Sequence, residues 1–169
     1  MALLGCVLVV FGDLAMRPFL PDALGLRAAP PDLVFLAALY LGFRARDTGP
    51  LYHAALLGAM KDSFSAWPLG HFAFLFGFCA LAAQRLRPAF PPRAALPLAA
   101  ATLLCGFLLA VGGVLLAAVA GRRGAGAAFA PSLLGAVTSA LVAPPFFALL
   151  DRSRLFRGLL PRGGYRFAG

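Results

Sequence analysis

The residues of this chain that could do chemistry are few and widely spaced. Lys61 and Asp62 stand side by side in GAMKDSFSAWPLG, residues 58–70, with His53 and His71 to either side. A lysine and an aspartate in an apolar setting could bind an ion or move a proton, and two histidines could add a base or metal ligands. The spacing argues against catalysis. Neither HExxH nor Gly-x-Ser-x-Gly occurs, and each His is isolated near a segment end, where a packed or interfacial ring is the simpler expectation. Gly121-Arg-Arg-Gly-Ala-Gly126 has no strand before it and no Lys-Ser/Thr after it, so it is expected to be a turn and not a phosphate loop. Cys6, Cys79 and Cys105 lie inside apolar runs with no CxxC, which is not a disulfide framework. No cofactor, no metal and no enzymatic activity are expected.

The elements that would position these residues are strongly apolar. Of 169 residues, 62% are hydrophobic and 12% charged, and the mean hydropathy is +0.88; a soluble domain is about a quarter charged. The expected class is an all-α integral membrane protein, one domain over residues 1–150, built as a bundle of about six transmembrane helices. The spans fall at about 2–16, 32–43, 50–64, 68–84, 94–120 and 130–150, with five spans the alternative. A straight span needs about 20 residues, so the second and third are expected to be half-spans wrapped by neighbours. Residues 1–16 lack the charged start and cleavage site of a leader and are expected to remain as the first helix. No internal repeat is found.

Charge sets the orientation. With six spans, Arg44, Arg46, Arg85, Arg87, Arg93 and the five Arg of the tail face one side; Arg17, Arg27, Lys61, Arg122 and Arg123 face the other. The richer side is expected to be cytoplasmic, with both termini there. Residues 151–169 alternate Arg with Leu and Phe, which suits a basic juxtamembrane tail against anionic lipid. The net charge of +9 is accounted for by these loops and the tail, so no nucleic-acid partner is expected.

Two features bear on assembly. In the sixth span Ser132, Gly135, Ala136, Ser139, Ala140 and Ala143 form a stripe of small residues, expected to be a helix-packing face for a partner in this chain or another, a homo-oligomer included. Pro144-Pro145 is expected to kink or end that span. In the 58–70 stretch, Lys61 and Asp62 diverge by about 100° on a helix and should not pair with each other, so Asp13 or Arg17 is the expected partner. Ser63 and Ser65 are expected to receive N–H groups of the next helix, with Pro68 in its first turn and Trp67 in the interfacial belt.

The order of motifs resembles a known family. Pro31-Asp32 opening an apolar run that ends in Tyr40 and Arg44, Gly58-Ala-Met-Lys-Asp62 followed by Pro68-Leu69-Gly70, and a closing Leu141-Val142-Ala143-Pro144-Pro145-Phe146-Phe147 with Arg152 are similar to the rod shape-determining protein MreD family. Lys61 beside Asp62 departs from that pattern. The resemblance implies a fold related to the substrate-binding membrane subunits of ECF vitamin transporters. It also implies a non-enzymatic scaffold of the bacterial inner membrane that binds MreC, within a complex holding MreB, RodZ, RodA and PBP2 and supporting lateral peptidoglycan synthesis and rod shape. On that basis Pro31, Asp32, Gly58, Pro144 and Pro145 are structural positions. Asp62, Lys61, Trp67, Pro68, Gly70, Ser132, Gly135 and Ser139 are candidates for partner contact. The alternative is an ECF-like binder of a small, vitamin-type molecule, with His53, Lys61, Asp62 and His71 lining its site.

Overall fold

The computed structural model describes residues 2–16, 30–44, 47–65, 69–88, 95–121 and 125–153. These residues are all-helical, with no strand among them: α1 (Ala2–Met16), α2 (Leu33–Arg44), α3 (Gly49–Asp62), α4 (His71–Leu86), α5 (Ala95–Val119), a short 3-10 turn (Ala125–Ala128) and α6 (Phe129–Ser153). The six helices coincide with the six apolar segments of the sequence. Two of them, α5 and α6, are 25 residues each and long and apolar enough to cross a membrane. Trp67, Pro68, Arg17 and the tail beyond Ser153 lie outside the described residues.

The centre of the bundle is α2. Its sequence, LVFLAALYLGFR, is apolar around the whole circumference, which suits a helix enclosed on all sides and not an amphipathic one. Every residue from Val34 to Phe43 is buried. The surrounding helices reach it through small residues. A methyl group placed on Gly42 would lie 2.8 Å from Ala80 Cα of α4, and one on Gly58 of α3 would lie 2.6 Å from Ala73 Cα, also of α4. Such distances bring helix backbones together as they pack in lipid, where close van der Waals contact replaces hydrophobic drive. Phe35 and Phe76 fill the α2–α4 seam, and Tyr40, Phe43 and Phe147 the seam between α2 and α6.

The small-residue stripe of α6 finds its partners inside the chain. Ala136, Ser139, Ala140 and Ala143 are buried, and a methyl group on Gly106 of α5 would sit 2.5 Å from Ala136 Cβ. Ser132 is exposed and Gly135 half-buried. Pro144 and Pro145 do not end α6; the helix continues to Ser153. Each proline deprives a carbonyl one turn back of its donor. Beyond them, however, Phe147 and Leu150 are buried and Asp151 is tied to α2, and these contacts hold the following turns in place.

Candidate functional site

The site is built at the start of α2. A helix leaves its first N–H groups without internal partners, and here they are met by side chains from three elements. Asp32 accepts the Phe35 N–H at 3.0 Å through Oδ1, an N-cap within the helix's own first turn. Asp13, at the end of α1, accepts the Leu33 N–H at 3.1 Å. Ser139, mid-way along α6, accepts the N–H of Asp32 itself at 3.0 Å. Pro31 precedes this cap, and proline disfavours helical backbone in the residue before it, which fixes the helix start at this position.

The other oxygen of Asp32, Oδ2, pairs with the Lys61 ammonium from the last turn of α3. Lys61 Nζ also lies 4.7 Å from the ring centre of Phe72 and 5.2 Å from that of Phe76. A carboxylate and two aromatic faces thus surround the one lysine of the chain. The expected partner for this pair was Asp13 or Arg17. For Lys61, Asp32 takes the place because the end of α3 packs against the start of α2; Asp13 accepts from the backbone of α2, and Arg17 lies outside the described residues.

Asp62 does different work from its neighbour. It is buried, and its carboxylate accepts three backbone N–H groups: Gly70 at 2.9 Å and Ala73 at 3.1 Å on Oδ2, and Phe72 at 2.9 Å on Oδ1. It therefore closes the turn between α3 and α4 and caps α4, where the helix dipole also favours a negative charge. Ser63 and Ser65, expected in this role, donate their hydroxyls backward to Ala59 O and Asp62 O. A carboxylate offers more acceptor sites than a hydroxyl and is the better cap for several N–H groups at once. Gly70 precedes α4 with φ +95°, a left-handed backbone that glycine adopts without steric cost.

A second polar cluster closes the other end of α2. Asp151 of α6 receives the Tyr40 hydroxyl at 2.8 Å and forms an ion pair with Arg44. Arg44 in turn lies over the Tyr40 ring, 5.8 Å from its centre. Tyr40 and Arg44 belong to the sequence motif, whereas Asp151 was not singled out; its only signal was a lone acid at the end of an apolar run.

These placements sort the candidate contact residues. Asp62 and Ser139 lie inside the fold, Lys61 is largely enclosed, and Gly70 and Ser132 are exposed. His53 and the Lys61–Asp62 pair are not neighbours. His53 sits in the second turn of α3, its Nδ1 3.0 Å from Gly49 O, and eight residues of helix, about 12 Å, separate it from Lys61. Among the described residues, no three His, Cys, Asp or Glu side chains come together to hold a metal ion. Against protein-family models, curated proteins and solved structures, the chain has no match in any of the three.

Proposed function

We propose that this chain is a non-enzymatic membrane scaffold of the MreD type. It forms a six-span bundle of the bacterial inner membrane with both termini cytoplasmic, and it engages the single membrane helix of an MreC-type partner in support of lateral wall synthesis. The observation that carries the proposal is the convergence of the motif residues. Asp32 caps the start of α2, Asp62 joins the end of α3 to Gly70 and the start of α4, Gly58 seats α3 on α4, and Lys61 ties the two groups together through Asp32. Tyr40 and Arg44 join the other end of α2 to α6. Their polar groups are engaged within the chain, and among the described residues no buried side-chain nitrogen or oxygen lacks a hydrogen-bond partner. The largely apolar exterior of α4, α5 and α6, including Phe74, Phe78, Leu103, Leu141 and Leu149, supports placement in lipid.

Partner contact falls to the exposed members of the candidate set, Gly70 with its neighbour Leu69, and Ser132. The test is a detergent pull-down of the tagged chain from its native membrane, with mass spectrometry of proteins and small molecules together. Recovery of an MreC-type bitopic protein is the expected result. Recovery of an ATPase pair with a tightly held metabolite would replace the scaffold by the ECF-like binder.

A further inference from the structure

The bundle has helices of two lengths, and along α6 the excess over α2 lies at one end. Two of the polar contacts between α2 and α6, one near each end of α2, span the same 107 residues of sequence: Asp32 with Ser139, and Arg44 with Asp151. The two helices therefore run parallel and in register, α2 lying alongside only the last part of α6. On the Arg44 side α6 ends at Ser153, almost level with α2. On the Asp32 side it continues outward from Ser139 to Phe129, about 15 Å further. The end of α3 and the start of α4 stay level with Asp32, through the Lys61 ion pair and the Asp62 cap.

Charged groups mark this step. α2 is about 18 Å long, α3 about 21 Å and α4 about 24 Å, against about 37 Å for α5 and α6. Asp32 and Arg44 bracket α2, so the charge planes at its two ends are about 18 Å apart, while bilayer hydrocarbon is about 30 Å thick. A flat bilayer reaching the ends of α5 and α6 would hold the Lys61–Asp32 pair at the depth of the hydrocarbon, with both side chains still 15% and 21% exposed at the surface of the bundle. A flat bilayer matched to α2 would leave Leu134 and Val119, which are 53% and 87% exposed, in water.

We infer that this chain thins the bilayer beside α3 and α4, which enclose the short α2: lipid headgroups descend to the Lys61–Asp32 pair, while α5 and α6 stand in hydrocarbon of ordinary depth. Bilayers accommodate short helices by such thinning. The inference rests on the six-span membrane reading proposed above. Its consequence is a lipid-facing surface with a built-in step in thickness, suited to short-chain or disordered lipid on one flank.

The experiment places spin labels at Ser63→Cys and at Leu134→Cys, one at a time, in the full chain reconstituted in vesicles, with the three buried cysteines replaced by alanine. Ser63 lies about 3 Å beyond the plane of the ion pair and Leu134 about 7 Å beyond it, further out. The step requires an inversion: the label at 134 is relaxed by oxygen from the hydrocarbon, and the label at 63 by a water-soluble nickel chelate. Both labels in the same layer, or the reverse order, in a protein that resists alkaline carbonate extraction overturns the step and leaves the membrane reading standing. Carbonate extraction of the chain overturns both. The unlabelled protein gives a second readout in phosphatidylcholine vesicles with chains of about 14 to about 22 carbons. Its unfolding temperature is expected to be highest at the short end and to fall by about 5 °C or more toward the long end. A water-filled recess without thinning gives no such trend, and a flat or rising series overturns the inference.

Discussion

At the scale of single residues, Lys61 and Asp62 show how adjacent charges acquire separate roles from a helix's geometry. A turn of about 100° per residue sends Lys61 toward Asp32 and Asp62 toward the backbone of α4. Their losses should differ accordingly. Asp62→Ala strands three N–H groups at a buried helix start, and is expected to cost about 3 kcal/mol or more. Asp62→Asn keeps acceptors and costs less; thermal unfolding in detergent orders the two. Lys61→Met leaves the Asp32 carboxylate uncompensated and is expected to cost about 3 kcal/mol. Adding Asp32→Asn to it should recover part of that loss, because asparagine still caps Phe35 while carrying no charge. A double-mutant cycle measures the coupling, and strict additivity would show that the ion pair contributes nothing.

At the scale of elements, the tightest constraints are glycines at helix crossings. Gly42→Ala and Gly58→Ala each drive a methyl group into the backbone of α4, which cannot yield as a side-chain tip can. Each is expected to destabilise by about 3 kcal/mol or to abolish folding. Gly12→Ala in α1, with nothing within 4 Å of its new methyl group, should be neutral or stabilising by about 0.5–1 kcal/mol. Fluorescence-detected size exclusion of the three variants separates these outcomes. Part of this was legible beforehand. Six apolar runs located six helices, and the stripe on the sixth span was visible because small residues at i, i+3 and i+4 stand out among larger ones. Gly42 was not visible: a single glycine in a uniformly apolar helix carries no periodicity, and only the partner helix reveals that its missing side chain is the point of contact. Nor could the sequence say that Pro144 and Pro145 would sit within a continuous helix, since what holds α6 together beyond them is Asp151 meeting residues more than a hundred positions away.

At the scale of the whole molecule, α2 draws on α6 at both its ends. It is 12 residues long, too short to span about 30 Å of hydrocarbon alone, and it carries Asp32 at its start and Arg44 at its end. Charges at such positions disfavour independent insertion. At each end one partner comes from α6, Ser139 at the start and Asp151 at the end. A chain that ends at residue 120 keeps α1 to α5 but has neither. In that truncated chain the α2–α3 pair is expected to fail to hold its place across the membrane, so that a cysteine at Asp47→Cys, in the short connection between them, loses its fixed sidedness. The full-length chain, labelled with a membrane-impermeant maleimide in intact cells and again after lysis, should react at position 47 only after lysis. The truncated chain should react in both. Restoring α6 as a separately expressed segment, residues 121–169, should return the single-sided pattern, because the contacts that fix α2 need proximity and not covalent continuity. If the truncated chain alone already gave single-sided labelling, α2 would be held by α3 and α4, whose close packing through Gly42 and Gly58 is the other source of its stability, and the two polar clusters on α6 would be refinements of a helix already in place.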